Sequence, residues 1–289
     1  MAAGDLITED WEMEYNGVAV GGDNPILASR VTGLLDLPDI SSGDQGRLRR
    51  HGLHPGDDFL MGRSVTIAFE IHGDTQGDFD TALSSLLTMT KPGEDEAQLF
   101  FQVPGVAGGD KAFLWCRPRK RKVTIDREYY YNLAKVIVQF DATDPRLYLA
   151  TTATGATAVA AASGGFAFPL SFPLAFGAAG EPGTIAATNT GTFAAGAIFR
   201  IDGPITNPRI ENTTHDKTIE VDITLSASEH LILDTEAGTV LLNGTASRYS
   251  SLASTSEWFD IEPGANLITF RGSSATGATM SMSWGHAFV

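Results

Sequence analysis

Residues 147–180 carry no charge, and this stretch constrains the fold more than any other feature of the chain. Its middle, residues 150–165, reads ATTATGATAVAAASGG, which has no amphipathic period and the composition of a flexible linker. Gly155, Gly164, Gly165, Pro169 and Pro173 interrupt it. It therefore cannot supply the roughly 20 apolar helical residues that a membrane span requires. A chain of 289 residues divided there is expected to form two domains, each large enough to bury a core. The expected division is 1–148, a linker over 149–180, and 181–289. The first 148 residues hold 15 basic and 23 acidic side chains, and the remainder 5 and 12, so the halves carry −8 and −7. Neither half is a basic partner for the other. The total of −15 disfavours nonspecific binding to nucleic acid or anionic membranes, because like charges repel.

The 31 glycines and 13 prolines suit an all-β architecture with many tight turns. Val65, Ile67, Phe69 and Ile71 alternate with Thr66, Ala68 and Glu70, the period of a half-buried strand. Residues 99–103, 113–116 and 133–140 are further strand candidates. Phe79, Leu83, Leu86, Leu87 and Thr90 recur near helical spacing, Thr75 with Asp78 offers a start signal, and Pro92-Gly93 a stop. The spacing predicts one helix over 76–90, inserted in an antiparallel sheet. In the second half, Ile219, Val221, Ile223 and Leu225 alternate with polar residues. Segments 231–233, 239–242, 258–261, 267–270 and 280–284 follow, separated by turn signals that include Glu236-Ala-Gly238, Asn243-Gly244 and Pro263-Gly264. Short strands at this spacing predict a β-sandwich.

Signals for chemistry are scarce. Cys116 is the single cysteine, lies in an apolar run, and reads as a small buried hydrophobe. His51 and His54, with Asp57 and Asp58 nearby, stand in a Gly/Pro-punctuated segment better read as a surface loop than as a metal site. No nucleophile elbow, phosphate-binding loop or dinucleotide fingerprint is present. The acidic start (Asp5, Glu9, Asp10, Glu12, Glu14) and Glu94-Asp-Glu96 read as solvated faces, loops or charged subunit contacts. Residues 117–122, Arg-Pro-Arg-Lys-Arg-Lys, form the basic cluster. Following a strand in an acidic half, they favour an edge or interface role over nucleic-acid binding. Trp258 and Trp284 fit core packing better than sugar stacking. The expectation is a non-enzyme with no catalytic, cofactor-binding or metal-binding residues and no cofactor. The N-terminus lacks the basic start and apolar stretch of a secretion signal. A soluble protein made in a cytoplasm is therefore expected.

An ordered set of segments then resembles a known family. Phe140-Asp-Ala-Thr-Asp-Pro-Arg-Leu-Tyr148 is followed by Gly165-Phe-Ala-Phe-Pro-Leu-Ser-Phe-Pro-Leu-Ala-Phe-Gly177. Next come Asn189-Thr-Gly-Thr192 and Ile201-Asp-Gly-Pro-Ile-Thr-Asn-Pro-Arg-Ile-Glu-Asn212. Leu233-Asp-Thr-Glu-Ala-Gly-Thr-Val-Leu-Leu-Asn-Gly244 and Trp258-Phe-Asp-Ile-Glu-Pro-Gly-Ala-Asn-Leu-Ile-Thr-Phe270 complete it. Together they resemble the distal tail proteins, or siphovirus-type tail components, of long-tailed bacteriophages.

The resemblance implies a mainly β chain: an N-terminal split β-barrel with one α-helix, joined to a C-terminal galectin-like β-sandwich. It implies a hexameric ring that joins the tail tube to the baseplate, tail-tip or fibre proteins, around a channel for DNA. The chain would sit at the tail tip of the virion, with no membrane and no sequence-specific nucleic acid among its partners. The alternative is a carbohydrate-binding sandwich recognising a host-surface glycan, which requires Trp258, Trp284, Tyr249 or Phe199 on an open sheet face. Six chains of −15 sum to a formal −90. Acidic residues lining the bore would then keep DNA from sticking, with basic clusters such as 117–122 at subunit contacts.

Overall fold

A computed structural model describes residues 3–159, 183–273 and 277–289. It is mainly β, and the chain separates into two compact units, Met1–Thr151 with Phe288–Val289, and Thr152–Ala287. The Phe/Pro segment 165–177 and most of the expected linker lie outside the described residues.

The first unit is built on one antiparallel sheet, in the order Val18–Val20, Glu12–Tyr15, Ala97–Gln102, Ala112–Thr124, Leu133–Ala142, Arg63–His72, Ile26–Thr32. Among the described residues no ladder closes this sheet into a barrel, and the expected split barrel appears as an open, folded-over sheet. The 13-residue strand Ala112–Thr124 is its corner. Residues Ala112 to Cys116 pair with Ala97–Gln102, whereas Arg117 to Thr124 pair with Leu133–Ala142, with a bulge between Pro118 and Lys120. A bulge adds bend and twist, which lets one strand serve both halves of a sheet. Val65, Ile67, Phe69 and Ile71 all point inward, as their alternation predicts. They meet Val136, Val138 and Phe140 from one neighbour, and the opposite half contributes Tyr15, Leu99, Phe101 and Leu114. Each such side chain contributes roughly 1.5–3 kcal/mol by leaving water. Cys116 is fully buried in this core, and burial pushes its thiol far above the ordinary value.

Helix α1, Gln76–Met89, covers the core with Phe79, Ala82, Leu86 and Met89. Thr75 accepts from the Asp78 amide and the Asp78 carboxylate accepts from the Thr75 amide, a reciprocal cap that satisfies two otherwise orphan donors. One helix was expected, and a second, the single turn α2 at Arg127–Tyr130, is also present. Asp126 caps it through the Glu128 and Tyr129 amides, a local device too short to leave a hydrophobic period.

The second unit is a β-sandwich. One sheet runs Ala153–Ala158, Thr279–Trp284, Ala197–Asp202, His230–Asp234, Thr239–Leu242, Ala246–Ser247. The other runs Gly183–Asn189, Gly264–Ser273, Ile205–Asn212, Lys217–Glu220, with Thr224–Leu225 paired to the start of Ile205–Asn212. Phe199, Ile201, Leu231 and Met280 of the first sheet pack with Ile210, Ile219, Ile268 and Phe270 of the second.

Two sequence expectations are corrected here. Residues 153–158, read as linker, are a strand, because pairing with Thr279–Trp284 satisfies their backbone. Gly155 is required there, since a Cβ would lie 2.5 Å from the Ile185 Cγ2. Segment 258–261 is not a strand; only Ile261 bridges, to Ala195. Asn207-Pro208 sits inside strand Ile205–Asn212 at a register shift, a position that tolerates a residue with no amide to donate.

Candidate assembly surface

Residues 35–61 leave the first unit as a thin two-stranded arm. Ile40–Ser42 pairs with Asp58–Leu60, and further out Gln45–Gly46 pairs with Leu53–His54. Between these ladders Gly43 and Gly56 pass so closely that a Cβ on Gly56 would meet the Gly43 carbonyl oxygen at 2.3 Å. A turn at the tip is closed by the Arg47 amide donating to the Gly52 carbonyl. Two-residue and three-residue ladders bury almost nothing, so the arm has no core of its own. Yet it carries Leu35, Leu37, Ile40, Leu53 and Phe59 in exposed positions, and Leu48 at its tip is 94% exposed. Apolar side chains gathered on one projecting element mark a surface that another molecule covers.

The arm is anchored rigidly at its root. Arg63, the first residue after it to join the main sheet, is buried. Its Nη1 donates to the carbonyls of Gly33, Leu34 and Asp36 at 3.1, 2.7 and 2.9 Å, and its Nε to Pro145 at 2.8 Å. Burial pulls the guanidinium below its ordinary value while the Asp36 charge opposes this. An always-charged planar group thus clamps the outgoing and returning ends of the arm together. Nothing in local sequence announced Arg63, because its partners lie up to 82 residues away.

Beside the root runs a groove of about 520 Å³, lined by Trp11, Met13, Val31, Leu34, Leu35 and Val106 among others. Met13, Leu34 and Val106 form its buried floor, while Trp11 and Leu35 stand 66% and 72% exposed as its walls. The acidic start, read as a solvated face or a charged subunit contact, is partly structural. Glu12 and Glu14 are buried. Glu12 accepts from the Thr8 and Glu9 amides and Glu14 from the Leu6 amide, which folds the leading segment back beside the groove. Those backbone donors hold the Glu12 carboxyl below its usual range, against the opposing effect of burial.

The basic cluster divides. Its residues lie within strand Ala112–Thr124 rather than after it. Arg121 donates to the Leu87 carbonyl and the Thr90 hydroxyl, both at 2.8 Å, and so caps the carbonyl end of α1. Arg117 donates to the Glu94 carbonyl. Arg119, Lys120 and Lys122 remain exposed on the hairpin whose far end presents Ile125, Tyr130 and Tyr131. His51 and His54 fall on the arm, and no group of three metal-ligating side chains comes together among the described residues.

In the second unit, Phe199 and Trp284 are core residues, the indole of Trp284 donating to the Thr188 carbonyl at 3.0 Å. Trp258 packs partly buried against the same core. Tyr249 is exposed, on a short helical turn rather than on a sheet face. No helix among the described residues is long and apolar enough to cross a membrane.

Comparison with known proteins follows the same division. Residues 190–288 match the family model of the siphovirus-type tail component, C-terminal domain. Over the whole chain the fold is similar to the crystal structure of the phage SPP1 Dit (gp 19.1) protein, described as a paradigm of hub adsorption apparatus in phages infecting Gram-positive bacteria. That similarity has a TM-score of 0.67 at 14% identity and covers 96% of this chain and 99% of that one. Chains of the phage P2 baseplate in its activated conformation, with Ca or Sr, align at TM-scores of 0.48 and 0.47 with 10% identity over 90% of this chain and 91% of theirs. No curated protein sequence matches the chain significantly.

Proposed function

We propose that this chain, whose residues 190–288 match the siphovirus-type tail component C-terminal domain, is the distal tail hub adaptor of a long-tailed phage. In this reading the first unit forms a hexameric ring at the tail tip and the second decorates it. The ring joins the tail tube to the baseplate or tail-tip proteins and leaves a channel for DNA. The chain belongs to the virion, and its role is architectural rather than catalytic. The observation that carries the reading is the arm: a projecting element with exposed apolar side chains and no core is costly in a free monomer and useful in a ring. The fold shared with SPP1 Dit over nearly the full length of both chains supports it. The acidic balance suits a bore through which DNA slides without sticking.

The glycan-binding alternative needs an aromatic platform. Phe199 and Trp284 are committed to the core and Trp258 leans on it, which leaves Tyr249 alone of the four as an exposed ring. That arrangement favours the architectural reading. The deciding measurement is light scattering on the purified chain over a range of concentrations, with negative-stain images of the same peak. A mass of six chains and a ring with a central hole is expected. A monomer that binds a glycan array overturns the reading in favour of the alternative.

A further inference from the structure

The arm and the groove are two incomplete surfaces of opposite character on one unit. The arm tip, residues 45–54, carries Arg47, Arg49 and Arg50 and no carboxylate, and its apolar residue Leu48 is almost entirely exposed. None of the three arginines forms an ion pair among the described residues. The groove has an apolar trough between the exposed Trp11 and Leu35. Asp36 lines it, and the exposed Glu9 and Asp10 precede Trp11, against a single lining cation, Arg30. Asp10 is held close by, its carboxylate accepting from Gln102, whose own carbonyl takes the Trp11 amide.

We propose that the groove between Trp11 and Leu35 receives the arm tip of a second copy of this chain, Leu48 entering the trough and the tip arginines meeting Asp10 and Asp36. Geometry denies the groove to its own arm. Leu35 is both a wall of the groove and the first residue of the arm, so the groove lies at the root. Thirteen residues, at no more than roughly 3.3 Å each, place Leu48 up to about 40 Å out along a ribbon paired on itself at Ile40–Ser42 and Gln45–Gly46. A contact joining the root of one copy to the tip of the next is heterologous, and such contacts generate rings when the rotation closes. The charge match adds register, because arginines at the tip would be repelled by a basic groove. Arg63 contributes as a positioning residue, since it holds residues 33–36 and with them one wall of the groove.

This inference rests on the ring reading above and is tested separately from it by disulfide trapping in the full chain. The double variant Trp11→Cys/Leu48→Cys, and a second pair Leu35→Cys/Arg49→Cys in case loss of the indole perturbs the groove, are oxidised and run on non-reducing gels. Cys116 is buried and does not interfere. The expected result is a ladder of linked chains ending in a closed species, with each single-cysteine variant giving none beyond a dimer. Scattering on the same samples separates the failures. A ring with no ladder from either pair overturns the acceptor site and leaves the proposed function standing, whereas neither ring nor ladder overturns both. A charge swap gives an independent check. Asp10→Lys/Asp36→Lys is expected to lower the yield of higher species at least tenfold, and combining it with Arg47→Glu/Arg49→Glu to restore it; no rescue counts against the charge match.

Discussion

The arm and strand Arg63–His72 are neighbours in the chain and both carry large aliphatic and aromatic side chains, yet these end in opposite environments. Val65, Ile67, Phe69 and Ile71 are buried, whereas Leu35, Leu48, Leu53 and Phe59 are exposed. The side chains are of the same kinds, and what separates them is company. The strand is flanked on both sides, by Leu133–Ala142 and Ile26–Thr32, and faces a second layer across the core. The arm pairs only with itself, and a two-stranded ribbon has no second layer to press against. Apolar residues become core only where the topology supplies an opposing surface. On the arm that surface must come from another molecule.

The comparison breaks if apolar residues on the two segments prove equally important to the free chain. Phe69→Ala removes a side chain from the packed core and is expected to cost about 3–5 kcal/mol in denaturant unfolding. The next effect concerns the link between the two segments. Arg63→Met leaves four carbonyls without their buried donor and should cost about 3 kcal/mol. It should also speed trypsin cleavage after Arg47, Arg49 and Arg50, because the arm root is released; an unchanged cleavage rate would show that the ladders alone hold the arm.

Acid sharpens the comparison at the groove. Folding lowers the Glu12 carboxyl, so the stability it contributes is present above its unfolded pKa and is lost as pH falls through the folded value. The melting temperature of the natural chain should therefore fall more steeply in acid than that of Glu12→Gln, and parallel curves would contradict the role assigned to its contacts with Thr8 and Glu9. The smallest effect on folding is expected from the arm itself. Phe59→Ala should change unfolding free energy by less than about 0.5 kcal/mol while weakening assembly in scattering. A large loss of monomer stability would mean that the arm packs on its own chain.

Much of the fold was legible because its causes are local. The alternation at 65–71 is a two-residue period, and α1 carries a helical stripe, a Thr75–Asp78 cap three residues apart and a Pro-Gly stop, all visible in one window. The Asn243-Gly244 hairpin turn is equally local, both residues adopting the positive φ that such dipeptides favour. The assembly surface was not legible. Residues 35–61 contain glycines, prolines and charges that read as an ordinary loop, and nothing nearby says that its leucines stay uncovered.

What the amino-acid sequence determined by itself was therefore a mainly β chain, its strands and capped helix, and the segments resembling phage tail components. Tertiary structure alone decided which charges are structural. Arg121 caps a helix end 31 residues away, Arg63 holds carbonyls on two distant loops, and Glu12 and Glu14 turn inward to gather backbone amides. The physical reason is that a charged side chain is worth burying only when several donors or acceptors converge on it. That convergence is a property of chain segments meeting in space rather than of neighbours in sequence.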